Sequence, residues 1–443
     1  MVKKKMKLSV ACLLAAACGL ALAARAQNWP HWRGPSFNGS SPATSLPTQF
    51  SRTQNVAWAL PLPGPSAATP IIWDDDVFVS STDTSARALV ALAIDRRTGK
   101  VRWQHKIADT LQKDRQSNYA SPSPATDGKR VIFFYGNGDL AAFDFAGKRL
   151  WARNLQTDYG EFAFQWTFSA SPTLHNGTLF MQVLQRNEPV HVRGRKDGPI
   201  ESFILALDPE NGQTRWKVVR PCEAVAESHE AYSTPIPFEH HGRLELLITG
   251  GDCVTGHAPD TGKELWRWGT WNPNKIGHWR LVPSPVAGDG FILACAPKGD
   301  PVYAIKAGGS GALDASAIGW KSDQHREISS DVPTPLFYLG DFFILSDVRR
   351  ALSRVEPRTG KVKWSIETPG RSKYEASPTG ADGKVYLMNF LGEVAIVDAD
   401  SGKVLQVIPL GEDGDNFTRS TIAVAHQQLF IRTNHKLYCI GKS

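Results

Sequence analysis

"ASPSPATDGKRVIFFYGNGDLAAFDFAGKRLW", Ala120 to Trp151, holds one complete unit of this chain. It opens on Ser/Thr-Pro, runs a short strand into a turn, and continues through a second strand. A third strand ends at an acidic residue, followed by Gly-Lys and Trp. The same order recurs. "ASPTLHNGTLFMQV" (Ala170 to Val183) closes with "LALDPENGQTRW" (Leu205 to Trp216), and "EASPTGADGKVYL" runs from Glu375 to Leu387. Self-similarity at periods of about 40–60 residues marks a propeller or an array, in which one unit cannot bury its own faces.

The Pro anchors fall at Pro70, Pro124, Pro172, Pro235, Pro285, Pro335 and Pro378, with spacings of 54, 48, 63, 50, 50 and 43. An eighth, degraded anchor is "RSTIAV", where Ile422 holds the Pro position. Asp95 and Trp103, Asp208 and Trp216, and Glu356 and Trp364 are each eight positions apart, and Gln406 keeps that spacing from Asp398. The acidic residue before Thr-Gly-Lys is turn chemistry, its carboxylate accepting nearby backbone N–H groups while Gly supplies a positive φ. Proline cannot donate to a ladder, so the strand that carries it is expected at a sheet edge. Trp belongs on the outermost strand, where its ring can fill the gap between sheets.

Four strands per unit and eight units predict an all-β, eight-bladed β-propeller of four-stranded antiparallel blades over 55–443. The eighth unit ends at "KLYCIGKS" without a fourth strand, and "NVAWALPL" (Asn55 to Leu62) has no three strands before it. The N-terminal strand is therefore expected to complete the last blade and close the ring.

Residues 1–26 read as a secretory signal peptide. Lys3, Lys4, Lys5 and Lys7 precede an apolar run from Leu8 to Ala24, and Ala24-Arg25-Ala26 offers a cleavage site. The run is too short and Ala-rich for an integral membrane span. Cys18 follows a loose lipobox, but the apolar core continues through Leu22, so a cleaved signal is expected over a lipid anchor. The chain is read as exported, periplasmic or extracellular, and monomeric. Five of the seven net positive charges lie in this segment, leaving +2. That near-neutral balance gives no electrostatic case for nucleic-acid binding. Cys222, Cys253, Cys295 and Cys439 remain, widely spaced, with no C-x-x-C and no metal or haem spacing.

The "D-x-x-T-G-K-x-x-W" element with its Ser/Thr-Pro start resembles the pyrroloquinoline-quinone (PQQ)-like propeller repeat. That superfamily holds the quinoprotein alcohol dehydrogenases and the BamB-like assembly lipoproteins. "NWPHWRGPSFNGSSP" (Asn28 to Pro42), within a leader over 27–54, is similar to the W-P-x-W-R-G-P start of exported PQQ-like repeat proteins. For the dehydrogenases the resemblance implies a Ca2+-bound quinone, an adjacent Cys-Cys disulfide and a catalytic Asp. This chain has no Cys-Cys dipeptide, and no catalytic residue carries over.

The segments just ahead of each anchor emerge on one rim and face the central funnel. They contain Tyr119, Trp166, His229 with Glu230 and Tyr232, His278 with Trp279 and Arg280, Asp331, Tyr374 with Glu375, and Arg419. A funnel lined by aromatic, acidic and basic groups is the candidate ligand site. The competing reading is that rim loops are polar anyway and these residues cap strand ends. "FEHHGR" (Phe238 to Arg243) and "GEDGDN" (Gly411 to Asn416) are read as a turn and a connection, and "HVRGRKDG" (His191 to Gly198) as a charged hairpin tip. No G-x-S-x-G, Walker-type loop or H-E-x-x-H is present. The residues favour an exported non-catalytic propeller that binds an envelope protein or small ligand through its rim and funnel, with no cofactor or metal. The alternative is a PQQ- and Ca2+-dependent oxidoreductase using Glu375, Asp331 and Arg419 as polar contacts.

Overall fold

The computed structural model describes residues 28–114, 117–269, 271–370 and 372–442; the signal-peptide expectation lies outside them. Innermost strands Ile71–Trp73, Ala125–Thr126, Thr173–His175, Ile236–His240, Val286–Gly288, Leu336–Tyr338, Thr379–Ala381 and Ala423–Ala425 begin blades one to eight. Seven sheets have four strands, and every pairing in those seven is antiparallel. Val56–Pro61 pairs antiparallel with Lys436–Ile440, setting Trp58 opposite Cys439. The ring thus closes by joining both ends of the chain in blade eight, as the orphan strands require.

Each anchor Pro stands one residue ahead of its innermost strand rather than inside it. The Ser or Thr before it does the joining. Backbone N–H groups of Thr69, Ser123, Ser171, Thr234, Ser284 and Thr334 donate to the hydroxyls of Ser123, Ser171, Thr234, Ser284, Thr334 and Ser377, each at 2.8–3.1 Å. Six consecutive blade junctions are therefore laced by one repeated bond. A buried bond of this type contributes about 1 kcal/mol net and costs more when left half-made. This lacing is what the repeated Ser/Thr-Pro encodes.

The outer seams use Trp. The indole N–H of Trp58, Trp103, Trp151, Trp216, Trp320 and Trp364 donates to a carbonyl in the acidic turn of the following blade, at 2.6–3.2 Å. The Gly of that turn lies flat against the ring. A methyl group on Gly99 would come within 2.7 Å of Trp58, and Gly99 also has φ +71, so no other residue fits both demands. The carboxylate of Asp95 accepts the Thr98 N–H at 2.8 Å, and its bond with Arg102 holds it down at about 2.

Two seams depart from this rule. Trp266 of blade four donates to Glu245 of its own blade, and Gly311–Ala312 adds a fifth, parallel strand beside it. That strand belongs to the long connection of blade five, which lacks the acidic Thr-Gly turn on which a Trp would dock. Blade seven has Gln406 in the Trp position. There Leu46 and Phe50 of the N-terminal segment are buried in one cluster with Ile408 and Leu410, and Arg52 Nε donates to the Leu410 carbonyl at 3.2 Å.

The segment from Asn28 onward crosses the floor of the ring. Trp29 exchanges both backbone bonds with Ile72 at 2.9 Å, and Thr126 N–H donates to the Pro30 carbonyl at 3.0 Å. His31 stacks on Phe37, whose edge meets His175 of blade three. Asn38 and Ser40 then bind Phe337 and Gly380 of blades six and seven. Arg33, 1% exposed, donates to the carbonyls of Pro335 at 2.8 Å and Pro378 at 3.0 Å. With burial unopposed by any carboxylate, its guanidinium falls to about 9. Glu239 and His240 lie within the innermost strand of blade four, so only His241 and Gly242 of "FEHHGR" form the turn that was expected.

Candidate functional site: the mouth of the central channel

The lacing hydroxyls leave a narrow shaft on the axis. It is lined by Ser123, Ser171, Thr234, Thr334, Ser377 and Thr421, and Trp32 of the floor-crossing segment lies at its wall. Its volume is about 120 Å³, whereas pockets for small organic ligands run to roughly 300–1,000 Å³.

Above the shaft, the rim segments converge as a chain of alternating charge. Trp166 Nε1 donates to Glu227 at 2.9 Å. Glu227 faces Arg280 at 3.8 Å, and Arg280 faces Asp331 at 3.4 Å. The Asp331 N–H donates to Asp347 at 2.9 Å, and Asp347 faces Lys373 at 3.1 Å. Lys373 meets Glu375 at 2.7 Å, and Glu375 meets Arg419 at 2.5 Å. The Arg419 guanidinium ends the arc against Phe390 at 4.8 Å and Phe417 at 5.4 Å. Burial opposes the Lys373 ammonium, yet Glu375 and Asp347 hold its proton more tightly than usual. Burial raises Asp347, and Lys373 offsets part of that rise. Each of these charges is therefore matched by an opposite one, across blades at Arg280–Asp331 and Glu375–Arg419 and within one blade and its connection at Lys373.

Of the residues singled out from sequence, Trp166, Arg280, Glu375 and Arg419 line one pocket at the mouth, together with Tyr232. Asp331 holds Arg280 from behind. Glu230 is fully buried and held by Arg186 at 2.5 Å, the Tyr232 hydroxyl at 2.6 Å and the Gln165 N–H at 2.9 Å; it fixes the loop that carries Trp166. His229 turns away to Cys222, with Nδ1 and Sγ 3.2 Å apart. His278 is exposed. Tyr119 lies over a separate cleft with His191, Val192 and Arg193. Lys373, Asp347, Glu227, Phe390 and Phe417 complete the mouth but escape the sequence reading. Lys373, two residues before Glu375 in an extended segment, carried the one readable signal, since alternate residues share a face.

Apolar residues rise around this mouth in strained backbone. Phe417 is 43% exposed with φ +55, next to Leu391 at 48% through the Phe390–Phe417 ring contact. Val192, at the tip of the basic hairpin, is 86% exposed with φ +63. A bulky or β-branched side chain in left-handed backbone costs of order 1 kcal/mol or more and is held there by its surroundings.

Eight sheets, a blind hydroxyl-lined shaft and Trp-sealed seams define the PQQ-like class of propeller. Within it, the model of the family described as outer membrane protein assembly factor BamB matches residues 51–188 and 201–443, and this chain belongs to that family. Residues 189–200, which fall outside the match, hold the basic hairpin. BamB from Moraxella catarrhalis superposes with a TM-score of 0.61 at 13% identity, over 87% of this chain and 99% of that one. Quinohemoprotein alcohol dehydrogenase from Comamonas testosteroni gives 0.64 at 15% identity, over 95% and 81%. A europium-containing methanol dehydrogenase gives 0.64 at 12%, over 92% and 89%. Among curated proteins, none matches the sequence significantly. At these identities the solved structures speak for the fold alone.

The dehydrogenase relatives imply PQQ with a cation, and the residues here do not fit that group. The shaft is too small for a fused tricyclic quinone. Glu375, which lines the mouth, and Asp331 beside it are already engaged by cations, so a metal would have to displace arginine or lysine from each.

Proposed function

We propose that this chain is an exported envelope scaffold that docks a polypeptide on its channel-mouth face, without catalysing a reaction. The observation that supports this most is the contrast between a shaft too small for an organic ligand and the exposed side chains raised around it. Leu391 and Phe417 offer an apolar anchor point, backed by the stacked Arg419. Beside them the loop from Glu412 to Asp415 carries acidic groups, of which Asp413 is exposed. This arrangement fits a partner segment that places aliphatic or aromatic side chains on Leu391 and Phe417 and basic residues opposite that loop. No helix among the described residues is long and apolar enough to cross a membrane, which accords with a peripheral scaffold.

The test is cross-linked capture from cell-envelope extract with the unaltered protein and with Leu391→Asp/Phe417→Asp. The double variant is expected to keep its unfolding midpoint and lose the captured band. Retention of the band would sink the assignment of this face. Stoichiometric uptake of PQQ and Ca2+ with dye-linked alcohol oxidation would overturn the non-catalytic reading.

A further inference from the structure

Two of the four described cysteines sit in one small cluster, Cys222 on the connection from blade three to blade four and Cys253 at the start of the third strand of blade four. Cys222 follows strand Thr214–Val219, and its side chain lies on the backbone of Gly251: a methyl group there would come within 2.6 Å of Cys222 Sγ. Gly251 and Asp252 form the turn that leads directly into Cys253. Arg267 Nη1 donates both to the Pro221 carbonyl at 2.8 Å and to Cys253 Sγ at 3.3 Å, so a single guanidinium nitrogen bridges the two cysteine segments. Arg220 Nη2 reaches Cys253 Sγ at 3.1 Å. Cys222 is partly exposed and faces His229 Nδ1, whereas Cys253 is buried.

This division of labour is what stepwise thiol oxidation needs. An accessible thiol beside an imidazole can hand over its proton and attack, and a buried sulfur held in place by two guanidinium groups is positioned to receive the second bond. We propose that Cys222 and Cys253 are a redox pair that closes a disulfide when an external disulfide is the oxidant. Cys222 Sγ–H passes its proton to neutral His229, and the thiolate attacks one sulfur of the external disulfide. A mixed disulfide forms on Cys222, and one thiolate leaves. Cys253 Sγ then attacks Cys222 Sγ and expels the second, its proton passing to that leaving sulfur while the imidazolium returns the first proton to the other, so that two protein thiols and one disulfide become one protein disulfide and two external thiols. The new bond ties the loop bearing Glu227 and Glu230 to the blade-four hairpin.

The experiment treats the full chain with oxidised glutathione at pH 7 and maps unreduced peptides by mass. The expected result is a Cys222–Cys253 cross-linked peptide, two hydrogens lighter than its parts, with Cys295 and Cys439 still thiols. Cys253→Ser should instead accumulate a stable glutathione adduct on Cys222, and His229→Gln should slow its formation with the near-ultraviolet dichroism unchanged. Unmodified Cys222 and Cys253, or a lasting glutathione adduct on Cys222 in the unaltered chain, would overturn the pairing.

Discussion

The two ends of the central channel solve the same problem, a cation where the blades meet, in opposite ways. At the floor, Arg33 is buried, and its two terminal nitrogens donate to backbone carbonyls alone. At the mouth, Arg280, Lys373 and Arg419 are partly exposed and paired with carboxylates. A cation bound to carbonyls has no partner that can be titrated or exchanged, so the floor is a fixed closure. A cation bound to carboxylates answers to salt, pH and incoming charge. The mouth is the end of the channel that its surroundings can address.

The largest effect should come from the floor. Arg33→Ala strips the anchor carbonyls of Pro335 and Pro378 and the Asn38 carbonyl of their donor, and it is expected to cost roughly 3 kcal/mol. Denaturant unfolding should show the same loss at pH 5 and pH 8, because no carboxylate takes part; a loss that varies with pH would erase the contrast. Glu375→Gln removes the charge shared by Lys373 and Arg419. The expected cost is about 2 kcal/mol at low ionic strength, shrinking in added salt as screening takes over. A salt-independent cost would place the mouth in the same class as the floor.

The smallest effect tests a titrating carboxyl in the blade-four turn that leads into Cys253. Burial lifts the Asp252 carboxyl from 3.8 to about 6. The folded chain therefore keeps a proton there that the unfolded chain releases at lower pH, and the native state loses stability as pH rises between those values. Asp252→Asn should raise the unfolding free energy by about 1–2 kcal/mol at pH 7.5 and leave it unchanged near pH 3. A gain of equal size at both values would assign the effect to packing instead of charge.

The ring was legible in the sequence because its two fasteners repeat. Ser/Thr before Pro laces the axis, and Trp eight residues after an acid seals the outer seam. Where a fastener lapses the sequence gives notice, as at Gln406. It does not say that Leu46 and Phe50 are buried at that seam, or that Gly311–Ala312 would attach to blade four. The mouth was legible only as a set of positions. Trp166, Arg280, Glu375 and Arg419 all fall in the short stretch ahead of their anchors, six, five, three and three positions before them, and that placement fixes which end of the channel a residue reaches. Pairing across the mouth depends on how loops of unequal length fold back. His229 and His278 stand at equivalent places, yet one turns to Cys222 and the other to solvent. Lys373 and Asp347 enter because the loop after blade six lies over the turn of its own second and third strands.

The segment that crosses the floor also has a consequence in time. Its residues leave the ribosome before any blade exists, but Asn38, Ser40, Arg33 and Arg52 find their partners in blades six and seven, and Val56–Pro61 pairs with the last strand of the chain. The first thirty or so described residues therefore lack their full set of partners until blade eight has been made. Contacts between such distant parts of a chain are slow to form and leave edges open meanwhile. Seating of this segment waits on blades six and seven and closure of the seam on Lys436–Ile440 of blade eight, so a chain cut short before blade six would be left with both its floor and its seam unlocked.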